Sequence, residues 1–417
     1  MNHKKKYELL APAGNWEKLQ IALHYGADAV YMGLPEFSLR SKVKDMDLEV
    51  LLKSISYVKK KSKKIYITIN IFLHNRDIPK IIEHLKILEE AKPDAIIFSD
   101  PGVLHLAKKY APSIPLHIST QSNVTNIEAA KFWESLGVQR IILAREVSIK
   151  DIQDFKESIN CELEAFVHGS LCIAYSGKCY LSAYMTNRSA NKGECTNSCR
   201  WKYQIYYLKE EKRESEFLPI YEDDRGTYIM SSKDLCMIEY LPDLANAGVY
   251  SFKIEGRMKG INYLAGVVKT YREAIDLLEK NQFQVSPRWF EELNMFSNRG
   301  FTTGMYFQEH PLNGYQHDGV NRNSQTATLA GVIVEKESDG IWITARDKLQ
   351  LKDKILFLKN GIETEIFSIE NIKTSNQELQ ILKNGETAKI VLNKEIPQVL
   401  EPLDIVRKPI LLEQTTD

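Results

Sequence analysis

The stretch YELLAPAGNWEKLQIALHYGADAVYMG, from Tyr7 to Gly33, holds the unit from which most of the chain is built. YELLAPAG reads as a short buried strand closed by a Pro-Gly turn. NWEKLQIALHYG carries apolar residues at helical spacing, with Asn15 placed to cap the first turn and Gly26 to stop the last. ADAVYMG returns to a short apolar run. Strand, helix and strand in that order form the crossover that a parallel sheet requires.

The unit recurs. KIYITIN, DAIIFSD, IPLHIST, QRIILAR and ELEAFVHG read as further strands, with helical segments such as IPKIIEHLKILEEA and NIEAAKFWESLG between them, and YSFKIEG supplies an eighth strand. About eight alternations predict a TIM-type (β/α)8 barrel or a close variant rather than an open doubly wound sheet. In such a barrel, functional side chains stand at the C-terminal strand ends. Those positions read Asn70, Asp100, Gln121, Arg145, His168, Glu255 and Arg257. Asn70, Gln121 and Arg145 are candidate substrate-binding residues; His168, Lys253, Glu255 and Arg257 are candidate catalytic residues. For each alone, capping a helix or tying a loop competes with chemistry. Together, so many polar ends on apolar strands would cost several kcal/mol if buried unpaired.

Domain organisation follows from where the pattern breaks. Residues 1–280 read as the barrel, interrupted by a long insertion at about 171–232 that carries the cysteines and a Tyr-rich, strand-like KYQIYYL. Residues 281–326 read as a loop-rich linker. From Ala327 the pattern changes to ATLAGVIVEKE, GIWITAR, KILFLKNG, ETEIFSIENI, TAKIVL and DIVRK, which predicts a small β-barrel over 327–417.

Composition sets the class. Of 417 residues 43% are hydrophobic and 26% charged, the profile of a globular protein, and the formal net charge is zero, so wholesale electrostatic binding of nucleic acid is disfavoured. A local basic run, Lys59, Lys60, Lys61, Lys63 and Lys64, suits either RNA phosphates or the solvated end of a helix. The N-terminus has no apolar leader core, and no apolar run is long enough to span a membrane, so a cytoplasmic protein is expected.

In that reducing setting, clustered thiols point to metal or catalysis rather than disulfides. Four of the six cysteines, Cys172, Cys179, Cys195 and Cys199, fall within one Gly-, Ser- and Tyr-rich run; Cys161 and Cys236 lie outside it. Cys195 and Cys199 have the close spacing of a zinc knuckle, while Cys172 and Cys179 suit looser wrapping around an iron–sulfur cluster. Spacing alone leaves iron–sulfur, zinc and no metal open. Cys172, Cys179 and Cys195 are the leading ligand candidates, Cys236 or Cys199 the fourth, and Cys161 reads as core.

His168, beside the first of these cysteines, suits a proton donor or a carboxylate holder, or equally a hydrogen-bonded histidine at a strand end. In SFKIEGRMKG, alternation puts Lys253, Glu255 and Arg257 on one face, fit for an anionic small molecule or a buried salt-bridge network. Neither HExxH nor G-x-S-x-G is present.

EAFVHGSLCIAYSGKCYLS resembles the signature of the collagenase-like peptidase family, whose fixed positions fall on Glu164, Phe166, Gly169, Cys172, Gly177, Cys179 and Ser182. ELLAPAGNWEKLQIALHYGADAVYMG, CTNSCRW, SSKDL, FKIEGRMK and SNRGFTTGM are similar to further blocks of that family, so the likeness covers nearly the whole chain. The family took its name from collagen-degrading activity. The resemblance is greatest to its tRNA-hydroxylating branch, and implies a 4Fe–4S cluster held by Cys172, Cys179 and Cys195, prephenate as hydroxyl donor, and 5-hydroxyuridine at the wobble position of tRNA as product. A dicarboxylate of that kind fits the cationic strand end at Lys253 and Arg257. A peptidase and a non-enzymatic assembly protein are the alternatives; the first would need an export route.

Overall fold

The computed structural model describes residues 6–38, 46–172, 174, 176–179, 181–186, 188, 195–196, 198, 221–223, 226–228, 233–296, 298, 300–307, 326–359, 364–375 and 377–410. KYQIYYL and Cys199 lie outside these residues.

The first elements are β1 (Glu8–Pro12), α1 (Trp16–His24), β2 (Ala29–Gly33), α2 (Leu48–Lys60), β3 (Lys64–Ile69), α3 (Ile78–Ala91), β4 (Ala95–Phe98), α4 (Pro101–Tyr110), β5 (Leu116–Ile118), α5 (Ile127–Ser135), β6 (Arg140–Ile142), α6 (Ile149–Ser158) and β7 (Glu162–Ser170). After β7 come α7 (Leu181–Thr186), the hairpin β8 (Tyr221–Asp223) and β9 (Gly226–Tyr228), β10 (Asp234–Cys236), α8 (Leu241–Asn246) and β11 (Val249–Ile254). β1 to β7 pair in sequence order and in parallel, and β11 pairs in parallel with both β1 and β7. The sheet therefore closes on eight strands, and the expected (β/α)8 barrel is borne out.

Helix starts were legible in the sequence. Asn15 Oδ1 accepts from the Lys18 amide at 2.9 Å, Asn126 Oδ1 from Ala129 at 2.9 Å, and Ser148 forms a reciprocal capping box with Asp151. Such caps contribute about 1 kcal/mol each. Asp100, at the end of β4, is also a cap: its carboxylate takes the Gly102 amide at 2.6 Å and the Leu73 amide at 3.0 Å.

One feature departs from a simple barrel. The lower part of β7 pairs with β11, whereas its last residues, His168 to Ser170, pair antiparallel with β10, which in turn pairs with β12 (Phe301–Thr302). β10 and β12 thus lengthen the wall of the barrel at the C-terminal end of β7.

The second unit begins with the first turns of α9 (Ile261–Glu279). Residues 260–270 and 286–297, the latter holding α10 (Pro287–Asn294), group with 323–417, while 271–285 and 298–322 group with the first barrel. The two units thus alternate along the chain in this region. The C-terminal strands are β13 (Ala327–Lys336), β14 (Ile341–Ala345), β15 (Leu349–Gln350), β16 (Lys354–Phe357), β17 (Phe367–Lys373), β18 (Glu378–Leu379), β19 (Ile381–Leu382), β20 (Thr387–Leu392) and β21 (Ile405–Pro409). Six of them, in the order β16-β21-β13-β14-β20-β17, close through β16–β17 into the predicted small antiparallel barrel. Its core holds Ile341, Ile343, Phe357, Phe367 and Ile390. Arg407 anchors the helical segments of this unit: it forks onto Glu292 of α10 at 2.7 and 2.9 Å and donates to Asn262 of α9 at 2.8 Å.

Candidate active site at the barrel mouth

TIM-type barrels are usually filled with branched apolar side chains. This one has a charged interior. Arg140 of β6 donates to Glu8 of β1 at 2.7 Å, to Glu164 of β7 at 3.0 Å and to Glu162 at 2.6 Å; Lys253 of β11 reaches the other oxygen of Glu164 at 2.6 Å. Tyr66 and Ser251 complete Glu8 at 2.6 and 2.8 Å. Burial works against the charge on Glu8, but Arg140 and the hydroxyl of Tyr66 hold its carboxyl below the ordinary range. Burial likewise opposes the Arg140 guanidinium, and the Glu8 and Glu164 carboxylates raise its pKa. For Lys253 burial wins and its pKa is lowered, with Glu164 the opposing influence.

Above this network the interior changes character. Tyr66 faces inward, since its hydroxyl meets Glu8 and its ring lies 5.0 Å from that of His117. Thr68, two residues on, shares that face. Thr68 is paired with Ile97 and Ile97 with His117, and Ser99 lies two residues beyond Ile97. Phe166, two beyond Glu164, faces inward from the opposite wall. Over these rings the cations gather: Arg145 Cζ sits 4.6 Å from the Phe166 centroid, Lys253 Nζ 4.6 Å from Tyr31 and 5.3 Å from Phe166, and Arg257 Cζ 5.8 Å from Tyr31. Gly33 admits Arg257, because a Cβ there would run into Nη1 of Arg257 and the hydroxyl of Ser38.

Thr68 Oγ1, Ser99 Oγ, His117 Nδ1 and Arg145 Nε are buried with no hydrogen-bond partner among the described residues. His117 is held neutral: burial first, then the nearby Arg140 and Lys253 charges, lower its pKa well below the ordinary value. Four orphaned polar atoms on consecutive strands or strand ends, facing a cation-bearing aromatic wall, are the composition of a ligand site.

The cysteine loop is pinned to the same mouth. The Ser176 amide donates to Glu146 at 2.8 Å, the Arg145 amide donates to Ser176 Oγ at 3.3 Å, and Thr120 lies 3.4 Å from the same hydroxyl. Gly177 has φ +74° and a Cβ there would overlap the carbonyl oxygen of Gln121, so only glycine fits. The loop thereby brings Cys179 into hydrogen-bond contact with Cys172. That contact first, and burial second, push the Cys179 thiol upward, while the Leu181 and Ser182 amides pull the other way by pointing at its sulfur. Cys195 is tied nearby through its neighbour: the Thr196 amide donates to Ser182 Oγ at 3.1 Å. Two adjacent thiols, a third whose neighbour is tethered to Ser182 three residues past Cys179, and amides aimed at sulfur form a donor set suited to a thiophilic metal or cluster.

The remaining predicted residues are placed as follows. Cys236 is buried on β10 opposite His168, its Sγ 3.8 Å from the Tyr271 hydroxyl, and burial pushes its thiol to about 11. His168 is also buried, with Nδ1 3.3 Å from that hydroxyl and its ring against Phe301; burial lowers its pKa to about 3, so it is neutral at ordinary pH. Glu255 follows β11 half-buried, its amide donating to the His168 carbonyl at 2.8 Å. Asn70 is buried at the end of β3, and Gln121 is half-buried in the turn that receives Gly177. Cys161 is a core residue whose Sγ lies 3.0 Å from the Val138 carbonyl. Sequence reasoning passed over Glu8, Arg140, Thr68, Ser99 and His117. The available signal was a polar residue at the inward register, or just past the end, of several otherwise apolar strands.

Residues 14–316 match the profile of peptidase family U32, about three quarters of the chain. The chain belongs to this family. It is 37% identical over 410 residues to tRNA hydroxylation protein P1 of Bacillus subtilis, covering 97% of this chain and 95% of that one. It is 33% identical over 436 residues to tRNA hydroxylation protein P of Escherichia coli, covering 95% of each. A collagenase of Porphyromonas gingivalis is 30% identical over 414 residues, covering 94% of this chain and 95% of that one.

Proposed function

We propose that this chain is a tRNA-modifying enzyme that hydroxylates the wobble uridine to 5-hydroxyuridine without dioxygen, using a cysteine-held 4Fe–4S cluster and prephenate as hydroxyl donor. Two proteins named for tRNA hydroxylation align with it almost end to end, which supports the reaction class. The observation that carries the reading is the contact of Cys172 with Cys179 above a barrel mouth lined by Arg145, Lys253 and Arg257. Thiolates belong to a soft, redox-active centre and the cations to a dicarboxylate, and here the two lie at one opening.

Cys172, Cys179 and Cys195 hold the cluster, with Cys236 or Cys199 as fourth ligand. When bound, it supplies one-electron chemistry at the mouth. The chain's own residues bind and orient. Arg257, Lys253 and Arg145 take the donor's carboxylates, and Asn70 and Gln121 line the approach of the base. Lys253 does so while paired to Glu164, so its charge stays fixed within the barrel. The basic run contributes less to tRNA than its sequence implies: Lys59 is tied to the Ala91 carbonyl, Lys63 to Asp28 and Lys64 to Glu8, while Lys60 and Lys61 are exposed. Phosphate contacts there or on the C-terminal barrel require salt-sensitive tRNA binding.

A peptidase is the second reading, carried by the collagenase relative. His168 serves it poorly as a partner for Cys172, because the imidazole is buried against Tyr271 and Phe301. Nucleoside mass spectrometry on tRNA from a deletion strain tests the proposal. 5-Hydroxyuridine restored by the wild type but by neither Cys172→Ala nor Arg257→Gln is expected; full restoration by Cys172→Ala would refute it.

A further inference from the structure

We infer that the upper layer of the first barrel is a closed subsite for the oxygen-bearing end of a small carboxylic acid, with Thr68 and Ser99 as its hydrogen-bonding wall and Arg145 as the residue that reads the acid group. This rests on the proposed use of an organic acid as co-substrate.

Three observations converge on it. First, the hydroxyls of Thr68 and Ser99 and Nδ1 of His117 are buried in residues no more than 5% exposed, and none has a hydrogen-bond partner among the described residues. A buried hydroxyl without a partner costs stability, so a row of them on β3, at the end of β4 and on β5 is expected where something else supplies the partner. Second, the side chains at this level are small. Gly33 stands beside Thr68 in register, and the space a side chain would take there holds the guanidinium of Arg257 and the hydroxyl of Ser38, so on that side polar groups rather than a branched apolar side chain border the layer. Third, the opposite wall is complementary: Arg145 lies over Phe166 with its Nε buried and unpaired, and Lys253 lies between Phe166 and Tyr31. Hydroxyl and imidazole groups on one side, guanidinium and ammonium on the other, match a ligand that carries both a carboxylate and neutral hydroxyl or carbonyl oxygens.

The charged network below makes the contrast sharp. Every carboxylate oxygen of Glu8 and Glu164 there has a partner at 3.0 Å or less, so that layer is satisfied by the chain itself.

The test is isothermal titration of prephenate into the metal-loaded protein, kept anaerobic, beside thermal unfolding without ligand. Thr68→Val and Ser99→Ala remove orphaned hydroxyls and little volume. Each is expected to weaken prephenate binding up to about tenfold, the size of one lost hydrogen bond, while the unliganded melting temperature stays level or rises. Arg145→Gln is expected to weaken it further and to abolish the preference for prephenate over phenylpyruvate, which has one carboxylate fewer. Unchanged affinity in all three variants would mean that water alone fills the layer and would overturn the inference. Wild-type protein that binds no prephenate but binds another hydroxy or keto acid through these residues would overturn the choice of donor and leave the subsite standing.

Discussion

The lower and upper halves of the first barrel are built from the same alternating strands, yet they treat buried polar groups in opposite ways. Below, Glu8, Arg140, Glu164 and Lys253 form a network in which charge meets charge and the carboxylate oxygens are satisfied. Above, Thr68, Ser99, His117 and Arg145 each leave an atom unpaired among the described residues. The difference separates scaffold from site more cleanly than charge does, because a satisfied ion network fixes the fold while an unsatisfied one awaits a ligand.

The largest effect should come from breaking the lower half. Arg140→Ala strands Glu8 and Glu164 as buried, uncompensated charges, and chemical denaturation should show a loss of about 3–5 kcal/mol. A loss below about 1 kcal/mol would mean that the network is as dispensable as a surface ion pair.

Next comes pH, acting through His168 near the end of β7. Its folded pKa of about 3 lies below the ordinary 6.5, so between those values the unfolded chain takes up a proton that the native state refuses. Stability should therefore fall as pH drops from about 6.5 toward 3, by at most a few kcal/mol from this group, and His168→Asn should flatten that part of the slope. Glu8 acts in the same direction lower down: its carboxyl is depressed in the folded state, so its contribution is present above the unfolded carboxylate value and lost as pH falls through the folded one.

A smaller effect sharpens the upper half. Gly177→Ala forces a side chain into a positive-φ position against the Gln121 carbonyl, at a cost of about 1–3 kcal/mol. The prediction is a folded protein with a displaced cysteine loop and reduced iron content. Smallest of all, Thr68→Val should change the stability of the unliganded protein by no more than about 1 kcal/mol, and upward, since the hydroxyl it removes has no partner.

Much of this was legible in the sequence. The eight strands, the Asn15 cap and the six-stranded second barrel follow from periodicity and turn chemistry, which are local properties. What escaped was long-range. Arg140 and Glu8 stand 132 residues apart and meet only because the barrel closes. SSKDLC is not among the strands read from periodicity, and its Asp234–Cys236 becomes β10 by pairing antiparallel with the overhang of β7. The bland and functional readings of Lys253 both contain part of the answer: it is salt-bridged to Glu164 and also stands over Tyr31 at the mouth, near Arg257. Asp100, read from its place at a strand end, is occupied as a helix cap.

The most direct test of the central claim is iron and sulfide analysis with a visible spectrum on anaerobically purified protein, comparing wild type with Cys172→Ala. About four irons per chain, with a thiolate-to-iron absorption that the variant loses, is the predicted result. Zinc, or no metal, in wild type protected from oxygen would contradict it.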